Sequence, residues 1–246
     1  MAPQRTPSLT PDEARQLCRD ALVIDSQQPG ATGGLVFTPR MEEALQEYAR
    51  RGMTREEVTP LLQELAVREL QTSEEARQAY LDIWRRSGVT AACATYSATE
   101  RPSDSFEHTV RALARAHAFV DALDGQLILA RRAADIERAH REGKYGLVLD
   151  FQNTTAFGDD LDRINTFHHL GVRMVQLTYN LRNLVGDGCT EVHKSGLTHF
   201  GREVVRRLND LRVLVDVSHC SEQVGWDALE VSTAPIVICH SSSAAV

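Results

Sequence analysis

The chain contains no apolar run that reaches the roughly 18 residues of a membrane-spanning helix. Its start, Met1-Ala-Pro-Gln-Arg-Thr, leads into polar residues rather than a signal-peptide core. A soluble, cytoplasmic protein with no membrane partner is expected. Cysteine is scarce: Cys18, Cys93, Cys189, Cys220 and Cys239 are odd in number and none forms a C-x-x-C pair. That argues against a disulfide framework and against a zinc-thiolate cluster. Basic stripes are missing too. The net charge is -7 with both signs interleaved, so no nucleic-acid partner is expected. No short repeat or low-complexity segment is visible.

What remains is an ordinary globular composition, 42% apolar and 25% charged over 246 residues, enough to bury one full core. Thr10-Pro-Asp-Glu13 reads as a helix start, with Thr10 as N-cap, Pro11 in the first helical position and Glu13 completing a capping box. Apolar runs at 21–25, 89–96, 127–130, 145–151, 172–179, 213–219 and 235–240 read as seven strands. Helical patterns separate them, for example at 106–123, 133–142 and 200–211, and a glycine-rich loop around Gly30, Gly33 and Gly34 follows the first strand. A Glu-, Leu-, Arg- and Ala-rich insertion at about 41–86 is expected to be helical and to cover one end. This β-α-β rhythm predicts an α/β, TIM-type (β/α)8 barrel as a single domain over 1–246, with seven strands and the C-terminal one missing. An open doubly wound sheet is the alternative.

The C-terminal ends of such strands carry the chemistry. Two of them, Val213-Leu-Val-Asp-Val-Ser-His219 and Pro235-Ile-Val-Ile-Cys-His240, stop on histidines. Alternation places His219 on the face of Val215 and Val217, and His240 on that of Ile236 and Ile238, so both imidazoles are expected to meet in one cavity as metal ligands. By the same alternation Cys220 and Cys239 face away, into the helix layer. Asp150 and Gln152 at the end of the fourth run face alike, as do Asp25 and Gln27 at the end of the first. Tyr96 and Tyr179 end the second and fifth runs and are candidates for binding substrate. An inward Asp150 is costly unless partnered; Asp25 reads equally well as an acceptor of turn N–H groups. A turn-rich segment, Asn183 to His193, reads as a lid. The other seven histidines fall on helices or in polar loops and are assigned no role.

The segments Phe151-Gln-Asn-Thr154, Leu177-Thr-Tyr-Asn180, Gly196-Leu-Thr-His-Phe-Gly-Arg-Glu-Val-Val205, Val215-Asp-Val-Ser-His219 and Ile238-Cys-His-Ser-Ser242, with Ala21-Leu-Val-Ile-Asp25, resemble the membrane (renal) dipeptidase family of metallopeptidases. The resemblance implies an amidohydrolase-type barrel with two zinc ions that cleaves dipeptides, some with a D-residue in second place. It also implies that His219 and His240 bind one metal. The departures are specific. The family's His-x-Asp after the first strand is here Gln27 and Pro29, and its bridging glutamate is Gln152. An arginine beyond the second histidine and an aspartate of the eighth strand would fall beyond Val246. The pattern is similar to a bacterial branch of the family that lacks His-x-Asp.

The reading is therefore a metal-dependent hydrolase that uses one zinc ion on His219 and His240 to activate water against a dipeptide or other small amide. Asp150 supplies a further ligand or the base, and Gln152 stands in for the lost glutamate. The alternatives are a non-catalytic relative that keeps the mouth as a small-molecule pocket, or a truncated, inactive chain. The open edges of the first and seventh strands would then make it aggregate or pair as a homodimer.

Overall fold

The structure is a computed structural model that describes residues 9–28, 35–97 and 105–242. Pro29 and the glycine-rich loop of Gly30, Gly33 and Gly34 lie outside the described residues. Seven strands are present among those described: β1 (Ile24–Asp25), β2 (Ala91–Ser97), β3 (Leu127–Leu129), β4 (Tyr145–Phe151), β5 (Val172–Gln176), β6 (Leu214–Asp216) and β7 (Ile236–Val237). Every pairing is parallel, and the main path runs β1-β2-β4-β5-β6-β7. The fold is the expected α/β one, a partial TIM-type barrel of parallel strands with helices between them.

One neighbour relation departs from sequence order. β2 pairs along nearly the whole of β4, whereas the short β3 takes only Tyr145 to Leu147 and β5 takes Leu149 to Phe151 on the other edge. β1 and β7 end the sheet, and where their partners stop, apolar residues show: Ile24 is 48% and Ile238 67% exposed. The two ends meet where Ser26 Oγ donates to the Cys239 carbonyl at 2.8 Å. The sheet is therefore curled enough to bring the first and last strand ends together.

Nine helices are described: α1 (Pro11–Asp20), α2 (Pro39–Arg50), α3 (Arg55–Thr72), α4 (Glu74–Ser87), α5 (Ser105–Asp121), α6 (Ala133–Arg141), α7 (Asp162–His169), α8 (His199–Asp210) and α9 (Glu222–Val231). α1 begins with the capping box of Thr10 and Glu13, whose carboxylate takes the Thr10 N–H at 2.8 Å. Residues 39–87 form three helices that pack on α5 and on each other. Phe37, Tyr80 and Phe119 stack edge to face at about 5 Å, and Arg115 of α5 donates to Gln63 of α3 at 3.1 Å. Trp84 of this insertion packs on Tyr145 at the start of β4, the end of the sheet opposite the strand C-termini.

The core lies between sheet and helices. Phe151, Phe157 and Phe167 form one aromatic cluster there, each buried, and each is worth about 2 kcal/mol in transfer free energy. Phe151 faces this layer, so its neighbour Asp150 faces the barrel interior. That alternation sets the site.

Candidate metal centre

Three even-numbered strands aim polar side chains inward. Thr95 of β2 lies in register with Asp150 of β4, and its hydroxyl donates to Asp150 Oδ2 at 3.3 Å. Asp216 of β6 completes the set, in keeping with the layering of alternate strands inside such barrels. Asp150 and Asp216 are each 1% exposed. Burial, with Asp216 adding to it, pushes the Asp150 carboxyl up to about 8. Among the described residues Asp150 Oδ1 has no hydrogen-bond partner, and neither has Gln27 Oε1, although Gln27 Nε2 donates to Thr95 Oγ1 at 2.8 Å. Asp25 takes the local role weighed for it: its Oδ1 accepts the Gln27 N–H at 3.1 Å.

β6 and β7 end earlier than their apolar runs suggest, so both histidines sit on turns beyond the strands. In β6 the inward residue is Asp216, not Val215 or Val217. His219 reaches the same side through a backbone turn to φ +56°, a left-handed conformation uncommon outside glycine. That turn is held from outside. Cys189 N–H donates to the His219 carbonyl at 2.7 Å, Gly188 and Cys220 form an antiparallel bridge, and Ser221 N–H donates to the Asp187 carbonyl at 2.9 Å. Asp187 itself is buried, paired with Arg182 Nε at 2.6 Å and accepting the Ser195 and Gly196 N–H groups. The expected lid is therefore a strap pinned under the turn of His219. Gly188 is required in it, because a Cβ there would overlap the Asn180 carbonyl.

The imidazoles do meet. His219 Nε2 and His240 Nε2 face each other at 2.9 Å. His219 Nδ1 lies 2.9 Å from Asn180 Oδ1, an acceptor, so Nδ1 carries the proton and Nε2 a lone pair. His240 Nδ1 lies 2.9 Å from Cys239 Sγ, whose own proton goes to Asp216 Oδ2 at 2.7 Å; the sulfur accepts from Nδ1 and the second Nε2 is also bare. Burial and the neighbouring His240 hold His219 below the usual histidine range, which favours its neutral form. Two lone pairs facing at this distance require a proton or cation between them, or the Gln152 amide, whose Nε2 meets His240 Nε2 at 3.2 Å. Zinc binds imidazole at about 2.0–2.1 Å, so two nitrogens on one tetrahedral ion sit about 3.3 Å apart, a few tenths of an ångström wider than this pair. A small opening of the two rings would let them share one cation.

The opposite side offers no imidazole among the described residues. Gln27 is bound to Thr95, and Gln152 is a neutral amide fixed from behind by Gln176 Nε2, which donates to the Gln152 carbonyl at 2.8 Å. Tyr179 stacks on His219 with ring centres 4.4 Å apart and so belongs to the centre. Tyr96 does not. It is the extra residue of a bulge between Thr95 and Ser97, and its ring is buried in the apolar core on the side of Arg115. Cys239 also departs from its expected outward orientation, since Sγ touches Asp216 and His240, whereas Cys220 packs against the core as expected. Asn180, Thr95, Asp216 and Cys239 were not foreseen as site residues. A carboxylate inside the apolar run Val213 to Val217 is the signal that marks Asp216, because such a group is costly without partners.

The family model described as membrane dipeptidase (peptidase family M19) matches residues 55–246. The dipeptidase tcpJ of Claviceps purpurea is 37% identical over 121 residues, which are 48% of this chain and 28% of that protein. An amidohydrolase from Pseudomonas aeruginosa superposes with a TM-score of 0.65 and 27% identity, covering 92% of this chain and 54% of its own. The probable dipeptidase PvdM of the same organism gives a TM-score of 0.64 at 22% identity, over 96% and 57% of the two chains. This chain thus spans a little over half of the solved structures it resembles and less of the curated relative. No described helix is long and apolar enough to cross a membrane.

Proposed function

Because the chain belongs to the membrane dipeptidase family, peptidase family M19, we propose that it serves as a metal-dependent hydrolase of a dipeptide or another small amide, working with one zinc ion. The observation that carries this reading is the pair of bare Nε2 atoms facing at 2.9 Å, each fixed by a partner on its Nδ1. When bound, the cation supplies a water of near-neutral pKa and polarises the scissile carbonyl.

The chain's own residues supply the rest. His219 and His240 hold the cation, and Asn180 and Cys239 fix their tautomers. Tyr179, lying against His219, presents a hydroxyl to a substrate carbonyl or carboxylate. Gln152 offers an amide to the same space beside His240. Asp150 is the proton carrier: a carboxyl with its pKa at about 8 keeps a proton at neutral pH and can pass it to a leaving amine. The substrate is a small molecule.

The test is a panel of dipeptides, L,L and L,D, with protein stripped by chelator and reloaded with zinc. Zinc-dependent turnover is expected, lost in His219→Ala and reduced at least 100-fold in Asp150→Asn. The second reading, a pocket that binds without turnover, is favoured by Gln27 and Gln152 standing where the family resemblance calls for histidine and glutamate. Stoichiometric zinc with no hydrolysis of any dipeptide would establish it instead.

A further inference from the structure

His240 has two sides. Its Nε2 faces His219, while its Nδ1 faces a second donor set: Cys239 Sγ at 2.9 Å and, beyond the sulfur, Asp216 Oδ2 at 2.7 Å. These three ligand atoms, one nitrogen, one sulfur and one oxygen, all lie within 4.8 Å of one another. Asp216 has ordinary work for one oxygen only, since Oδ1 accepts from Ser218 N–H at 2.9 Å, Ser218 Oγ at 2.7 Å and Cys239 N–H at 3.2 Å. Oδ2 is left with the thiol.

Nearby, Asp150 is 1% exposed, with Oδ1 unpartnered among the described residues, and its carboxyl interacts with both Asp216 and Cys239. Neither carboxylate forms an ion pair with a lysine or arginine among the described residues. Buried carboxylates that lack a cationic side chain are groups that coordinate metals or give up their charge. The histidine pair, moreover, offers only two protein nitrogens where zinc is usually held by three protein ligands.

We propose that a thiophilic divalent cation binds on Asp216, Cys239 and His240, with Asp150 as the neighbouring carboxylate, at a position separate from the one between the two histidines. His240 is common to both, through Nδ1 here and Nε2 there, so a single ion takes one position or the other; binding here moves the Nδ1 proton to Nε2 and releases the Cys239 thiol proton to solvent. Soft thiolate directs the choice: cadmium, and cobalt(II) or zinc with it, settles at Cys239, while calcium and magnesium do not. The inference is independent of the hydrolase reading except in sharing His240.

The experiment is titration of chelator-stripped protein with cadmium and with cobalt(II), followed by the near-ultraviolet thiolate-to-metal absorption. In parallel, alkylation of Cys239 by iodoacetamide is mapped by mass spectrometry. Wild type is expected to develop the band at one equivalent and to gain at least tenfold protection of Cys239. His219→Ala should keep both effects, and Cys239→Ser should lose the band while keeping its fold by circular dichroism. Metal bound without a band, or a band that survives Cys239→Ser, would overturn the site. If His219→Ala then abolished binding, the histidine position alone would stand; if no ion bound at all, both readings would fall. Alkylation in wild type reports on Cys239 even if the serine variant does not fold.

Discussion

The two sides of the barrel mouth are built from similar strand ends, yet only one is organised to hold charge. On the β5–β7 side, Asn180, His219, His240, Cys239 and Asp216 form an unbroken chain of contacts between 2.7 and 2.9 Å that leaves two imidazole lone pairs facing each other. On the β1–β4 side, Gln27, Thr95 and Asp150 are linked by two hydrogen bonds, and two oxygens remain without partners. The difference lies in side-chain chemistry and in the left-handed turn that aims His219. Gln27 and Thr95 are joined by one hydrogen bond, whereas imidazoles positioned by acceptors on one ring edge must find a cation or proton on the other.

The contrast can be broken most severely through the strap. In Gly188→Ala the new methyl group would overlap the Asn180 carbonyl and disturb both the turn of His219 and its Asn180 partner. A loss of about 3 kcal/mol is expected in urea unfolding, along with metal binding. Unchanged stability and affinity would mean that the strap does not hold the turn. A smaller effect is expected from Asn180→Ala, which removes the acceptor on His219 Nδ1 and the contact with Cys189 Sγ. Zinc affinity should drop between about 10- and 100-fold by competition with a chelator, with little change in melting temperature.

The opposite side should respond to pH instead. Asp150 has its carboxyl raised from the ordinary 3.8 to about 8, so the folded chain binds that proton more tightly than the unfolded chain does. In metal-free protein this cost is absent below about pH 4 and grows as the pH rises towards about 8. Asp150→Asn should therefore flatten the pH dependence of stability and leave the variant more stable than wild type at about pH 9, by on the order of 2 kcal/mol. Equal slopes for the two proteins would show that Asp150 is not buried as a carboxylic acid.

Much of this was legible in the sequence. The strand-helix rhythm and the capping box at Thr10 follow from local patterns that tertiary contacts reinforce, and the histidines were visible as polar ends of apolar runs. Their orientation was not legible. Alternation along a strand carries no information past the strand's end, and β6 stops at Asp216, three residues short of His219. Tyr96 was misplaced for a related reason, since a bulge shifts the register at that residue. Cys239 was expected outward because its turn beyond β7 has no period either. The strap around Asp187 was invisible as a brace because its links to the His219 turn join residues about 30 positions apart through backbone groups that every sequence possesses.

The central claim is that metal binding resides in the histidine side alone. The most direct measurement is zinc per chain by elemental analysis, after chelation and reconstitution, for wild type, His219→Ala/His240→Ala and Gln27→Ala. About one zinc in wild type and in Gln27→Ala, and none in the double variant, is the expected result. Zinc retained by the double variant, or lost from Gln27→Ala, would contradict it.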